Sequence, residues 1–89
     1  MAKVNIHPSL VRFTNNQNEL ELSVDKAASV VSSLCQRFPM LKSSILSMEG
    51  ELTPYVNIYI NGKNLNQCIP HLPITHHDQI DVVTALVGG

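Results

Sequence analysis

Apolar and polar residues alternate at the start of the chain, with Val4 and Ile6 set among Lys3, Asn5 and His7, and Leu10, Val11 and Phe13 following Pro8. A period of two belongs to a strand that buries one face. The stretch reads as a first strand with a bend at Pro8, which has no N–H to give to a ladder. Asn15-Asn16-Gln17-Asn18 is a turn signal, and Glu19-Leu20-Glu21-Leu22-Ser23-Val24 resumes the alternation with Leu20, Leu22 and Val24 inward. Two strands joined by a short polar loop predict an N-terminal hairpin.

From Asp25 the period changes. Ala27, Val30, Val31, Leu34, Cys35 and Phe38 fall at i, i+3, i+4, i+7, i+8 and i+11, one face of an amphipathic helix, with Ser29, Ser32, Ser33 and Gln36 toward solvent. Asp25 stands where an N-cap belongs, and Pro39 ends the helix. Leu41, Ile45 and Leu46 allow a short second helix, and Met48-Glu49-Gly50-Glu51 reads as a loop. Val56, Ile58 and Ile60 then line one face of a strand over Tyr55 to Ile60. Asn61-Gly62 is a tight-turn pair leading into a short return strand near Lys63 to Leu65. Residues 66–79, with Pro70, Pro73, His71, His76 and His77, look irregular. Ile80 to Ala85 is the last strand, and its apolar character fits a central position buried on both faces.

A hairpin covered by a helix, with further strands added, is a layered α+β domain. If the first and last strands pair side by side they must be parallel, because everything between them forms the crossover. That arrangement is the β-grasp, or ubiquitin-like, fold: a mixed sheet of about four to five strands packed on one main helix. One domain is expected over residues 1–85, with 86–89 a flexible C-terminal tail ending in Gly88-Gly89.

Composition narrows the function. Eighty-nine residues suffice for one core. A formal charge of −1 and scattered lysines give no basic face for nucleic acid. No apolar run reaches membrane-spanning length, and Met1-Ala2-Lys3 does not open a signal peptide. Cys35 and Cys68 share no metal or redox spacing. The expectation is a cytoplasmic protein with reduced thiols and neither nucleic-acid nor membrane partners. Of four glycines, two are Gly88 and Gly89. Glycine is the residue most expensive to order and the one that best enters a confined channel, so the pair reads as the reactive end of a carrier that threads into another enzyme's active site.

Three segments carry a family resemblance: Tyr55-Val56-Asn57-Ile58-Tyr59-Ile60-Asn61-Gly62, Asp78-Gln79-Ile80-Asp81-Val82-Val83, and Gly88-Gly89. Over essentially its whole length the chain resembles the sulfur carriers of the MoaD/ThiS family. The first segment is similar to the Val-Asn-Ile-Tyr-Val-Asn form found in carriers that serve cysteine synthesis. The second resembles an Asp-Gly-Asp-Glu-Val turn, of which His76-His77-Asp78-Gln79-Ile80 keeps part and lacks the glycine.

The resemblance implies a protein co-substrate and not an enzyme. The Gly89 carboxylate, ionised at neutral pH and therefore a poor electrophile, is adenylated by an E1-like enzyme that uses ATP. Sulfur then converts it to a thiocarboxylate, which a sulfur-accepting synthase consumes. No cofactor is bound permanently. Gly88 and Gly89 thread the tail, and Leu86, Val87, Tyr55, Asn57 and Tyr59 are candidate partner contacts. Leu86 and Val87 serve equally well as the end of the last strand, and outer-face tyrosines are common strand formers. His71, His76, His77 and Asp78 read as a solvated turn and not a metal site, since adjacent histidines on extended chain point apart. Cys35 belongs to the helical core face, and neither cysteine has a neighbour that would activate its thiol.

Alternatives stay open. One is the small subunit of molybdopterin synthase. Another, of a different class, is a ubiquitin-like modifier joined to lysines through Gly89. In a third, a purely non-covalent interaction domain, Gly88-Gly89 is dispensable.

Overall fold

Val4 and Ile6 turn inward as their alternation predicts, and Ala2–Ile6 forms strand β1 of the computed structural model, which describes residues 1–84. Glu19–Leu22 (β2) pairs antiparallel with it, Val4 opposite Leu20. The helical face produces Val30–Arg37 (α1), and Pro39–Ile45 (α2) follows with Pro39 in its first turn, where its missing N–H is no loss. Val56–Ile60 (β3), Lys63–Asn64 (β4) and Gln79–Thr84 (β5) complete one five-stranded sheet in the order β2-β1-β5-β3-β4.

β1 and β5 are parallel, with Val4 opposite Ile80 and Ile6 opposite Val82; all other pairs are antiparallel. The β3–β4 hairpin closes over two residues, Asn61 and Gly62, both at positive φ (51° and 86°). That is the backbone of a type I′ turn, which suits the strand twist and which few residues other than Asn and Gly adopt readily.

Both helices cover the same face of the sheet. Val30, Leu34, Leu41 and Ile45 from the helices meet Val4, Ile58, Ile80 and Val82 from the strands, all fully buried.

Three expectations need correction. The first strand does not continue through Pro8. Residues Pro8–Phe13 form a 3₁₀ helix, because β1 makes its last ladder bond at His7 N–H to Val82 (2.8 Å) and Pro8 can donate none. The His7 ring nitrogen accepts from Ser9 N–H, and Leu10 drops into the core. Thr14, wholly buried, donates its hydroxyl toward Gln17 O (2.8 Å) and Val11 O (3.2 Å), while Asn15 and Asn16 reverse the chain at φ 55° and 61°.

Nor does Asp25 cap the helix. The chain enters α1 through a 3₁₀ turn, Ala27–Ser29, whose leading N–H groups are taken by distant carbonyls: Ala27 by Leu72 O (2.9 Å) and Ala28 by Pro70 O (3.0 Å). The irregular segment thus supplies the cap that a side chain was expected to give. Finally, β5 is central but covered on one face only; Ile80 and Val82 are buried, whereas Asp81 and Val83 are half-buried on the other side.

Replacing Ile58 or Leu34 by alanine should lower the free energy of unfolding by about 2–5 kcal/mol, since each is fully buried. Met48→Ala, at a fully exposed side chain, should change it by less than about 0.5 kcal/mol. Urea unfolding measures all three, and an Ile58→Ala variant as stable as wild type would mean that this face is not the core.

Candidate functional site

The outer face of the sheet is built by the residues that alternate with the core. Glu19 and Glu21 come from β2, Lys3 and Asn5 from β1, Gln79, Asp81 and Val83 from β5, and Asn57 and Tyr59 from β3. Strand register sets them in rows: Glu19–Asn5–Asp81–Tyr59–Asn64 runs across the whole sheet, with Asn57 beside Val83 in the next row.

Of the sequence-predicted contacts, Asn57 and Tyr59 lie together on this face, both half-buried. Tyr55, immediately before β3, is 50% exposed. Asn57 is engaged, its Oδ1 accepting from Asn64 Nδ2 (3.3 Å), which ties β4 to β3. The remaining predicted residues, Leu86, Val87, Gly88 and Gly89, and with them the proposed tail 86–89, lie outside the described residues. The last described residue, Thr84, stands opposite Val56 in the middle of the sheet.

Sequence reasoning missed the polar centre of the face. Asp81 Oδ1 accepts from Asn5 Nδ2 (3.0 Å) and from Gln79 Nε2 (3.2 Å), joining β1 to β5 by side chains as well as backbone. The period-two pattern from 79 to 84 held the signal, because inward Ile80 and Val82 force Asp81 outward. Lys3 Nζ meets a Glu19 carboxylate oxygen at 3.3 Å between two exposed side chains, a contact worth little in water.

The histidine-rich turn has a structural role for its acid. Asp78 Oδ2 accepts from Thr75 N–H (2.8 Å), and Oδ1 accepts from Asn61 Nδ2 (2.8 Å). Asn61 Oδ1 in turn accepts from Gln79 N–H (2.9 Å), stapling the β3–β4 turn to the entry of β5. His77, at the position where the family's turn has glycine, is not among the positive-φ residues, so this turn does not need one. His76 and His77, both exposed, do not point apart as expected: this stretch is a turn and not extended chain, and it brings their rings to 3.9 Å between centroids, tilted by 42°. Among the described residues no group of three or more His, Cys, Asp or Glu gathers as metal ligands. No described helix is long and apolar enough to cross a membrane.

Both thiols are free and half-buried. Burial pushes the Cys35 thiol up, with nearby Lys42 pulling the other way, so at neutral pH it is a protonated, weak nucleophile. Cys68 Sγ donates to Asn64 O at 3.4 Å. The outer face is thus polar and net acidic, with Glu19, Glu21 and Asp81 against Lys3, and carries Tyr59 with Tyr55 just before β3.

No protein-family model matches the chain. Among curated proteins it is similar to a "Putative sulfur carrier protein" of Archaeoglobus fulgidus, with 27% identity over 77 residues, spanning 83% of this chain and 88% of that one. Among solved structures it superposes on a chain of the Amycolatopsis orientalis BexX/CysO complex with a TM-score of 0.80 at 18% identity, covering both chains completely. The solution structure of small archaeal modifier protein 1 from Methanosarcina acetivorans aligns with a TM-score of 0.75 at 28% identity, over 99% of this chain and 95% of that one. The fold is the β-grasp, and the chain resembles the ubiquitin-like sulfur carriers in sequence as well as in fold.

Asp78 makes a pH prediction. Its carboxyl is held below the usual carboxylate range, first by the Thr75 N–H and next by the Asn61 amide, while burial acts in the opposite direction. A depressed folded-state pKa contributes stability that is full above the unfolded value, about 4, and is lost as pH falls through and below it. Asp78→Asn should therefore reduce the urea midpoint at about pH 7 and converge toward wild type at about pH 3. Parallel midpoints across that range would remove Asp78 from the linkage.

Proposed function

We propose that the chain is a sulfur carrier whose Gly89 carboxylate is adenylated by an E1-like enzyme and converted to a thiocarboxylate. The observation that carries the reading is the similarity to a sulfur carrier across most of the chain, on a β-grasp domain whose last strand is central. Residues 85–89 follow a strand that is hydrogen-bonded on both sides, so the domain forms a fixed base from which Leu86 to Gly89 reach a partner's active site.

The chemistry proceeds in balanced steps. The Gly89 carboxylate oxygen attacks the α-phosphorus of ATP and pyrophosphate leaves. The acyl carbon of the adenylate is then attacked by sulfide, the C–O bond to AMP breaks, and a C–S bond takes its place. If a protein persulfide is the donor, its S–S bond is afterwards cleaved by a thiol. The product, a nucleophile tethered to a protein, is handed to a synthase. The Val56-Asn57-Ile58-Tyr59 resemblance favours cysteine or a related metabolite as the destination of that sulfur, with the pterin precursor of a molybdopterin synthase as the alternative. Tyr55, Asn57 and Tyr59 on the outer face, with Leu86 and Val87, are the contacts that select the enzyme.

A second reading is favoured by the neighbour named a small archaeal modifier protein. The same adenylate can accept a lysine amine in place of sulfide, which makes Gly89 the point of an isopeptide bond.

Intact-protein mass spectrometry of the protein isolated from its host without alkylating or hydrolysing steps should find one oxygen replaced by one sulfur at Gly89. Gly89 joined to lysines of other proteins would move the modifier reading to first place. Residues appended after Gly89 should abolish adenylation until they are removed. Adenylation with the extension still attached would refute the need for a free terminal carboxylate.

A further inference from the structure

The centre of the outer face carries a carboxylate already oriented for a ligand. Asp81 lies on β5, the middle strand, and is half-buried. Two neutral amide donors, from Asn5 and Gln79, both fall on its Oδ1. Among the described residues no donor reaches Oδ2, and that oxygen is not a buried unpartnered atom, so it opens to solvent. Neutral donors fix the side chain without neutralising it. The group has therefore already lost the rotamer freedom that an exposed aspartate would give up on binding.

The surroundings choose among possible partners. On this face, among the described strand residues, Glu19, Glu21 and Asp81 are set against one cation, Lys3, which is already engaged with Glu19. Lys63 pairs in register with buried Ile60 and so projects from the opposite face. Directly across from Asp81 on β3 is Tyr59, its register partner in the same row of the outer face. A carboxylate with one free oxygen next to a tyrosine suits a guanidinium, which can donate one N–H to that oxygen while its plane stacks on an aromatic ring. An ammonium fits the charge without the stacking. A second copy of the chain does not fit, since it would bring carboxylates against carboxylates.

We infer that Asp81, flanked by Tyr59, is the anchor for an arginine on a basic face of the enzyme that docks on the sheet. This rests on the carrier reading and names the chemistry of the partner at its recognition surface. Asp81 is a positioning residue: it brings the enzyme to the sheet and takes no part in adenylation.

The test is ATP–pyrophosphate exchange by the recombinant E1-like adenylating enzyme of the same host, with wild-type carrier, Asp81→Asn and Tyr59→Leu. Asparagine keeps an oxygen for Asn5 and Gln79 and removes the charge, so thermal unfolding should match wild type. The carrier concentration for half-maximal exchange should rise about tenfold or more for Asp81→Asn, with the rate at saturating carrier retained. Tyr59→Leu should raise it by a smaller factor, and the wild-type advantage over Asp81→Asn should shrink in high salt. Unchanged half-saturation in Asp81→Asn, or a fall in the saturating rate alone, overturns the anchor and leaves the carrier reading standing. No exchange with folded wild-type protein overturns the carrier reading, and the anchor with it.

Discussion

The parallel pairing of β1 with β5 is the constraint on which the rest of the structure depends. Parallel neighbours cannot be joined by a tight turn, so the whole interior of the chain becomes their crossover. Both helices and the β3–β4 hairpin must fit between Ile6 and Gln79. Because β5 then sits between β1 and β3, its two inward residues, Ile80 and Val82, occupy the middle of the core and touch both halves of the molecule. The first and last strands thus close the domain together. A register slip of one residue would turn Ile80 and Val82 outward and bring Asp81 into the apolar layer.

This single closure also divides the sheet into two surfaces with different tasks. One is apolar and covered by α1 and α2. The other is held by side-chain bonds that cross strands, Asn5 to Asp81 and Asn64 to Asn57, where no helix is available to order it. Cross-strand amide contacts give a solvated face a defined shape at little energetic cost. The Asn61–Asp78 contact does the same for the loops at one end, joining residues 17 apart in sequence.

Much of this was legible in the residues, and the failures have a common cause. Leu20 and Leu22, the helical face from Ala27 to Phe38, and Asn61-Gly62 were read correctly because each signal is local: a period, or a turn that demands positive φ. Pro8–Phe13 was misread because Leu10, Val11 and Phe13 do not distinguish a bent strand from a short 3₁₀ helix, and the decision rests with Thr14 and the His7–Val82 bond. Asp25 looked like a cap because the true acceptors, Pro70 and Leu72, are far away in sequence. The polar centre of the outer face went unread for the same reason; Asn5 and Asp81 are 76 positions apart, and only the sheet brings them together.

The edges of the sheet are guarded against pairing with another chain. An exposed edge strand invites pairing with another chain, and short length and charge discourage it. β4 has two residues and carries Lys63; β2 carries Glu19 and Glu21, with the Arg37 guanidinium donating to the Glu21 carbonyl along its open side. Two copies aligned edge to edge at β2 would set glutamates against glutamates. A partner that adds a strand must displace Arg37 and accept that charge, whereas a partner that lies on the face meets fixed hydrogen-bonding groups and the free oxygen of Asp81. In the carrier reading proposed above, selection by the sheet and delivery by the tail both depend on one central strand, β5.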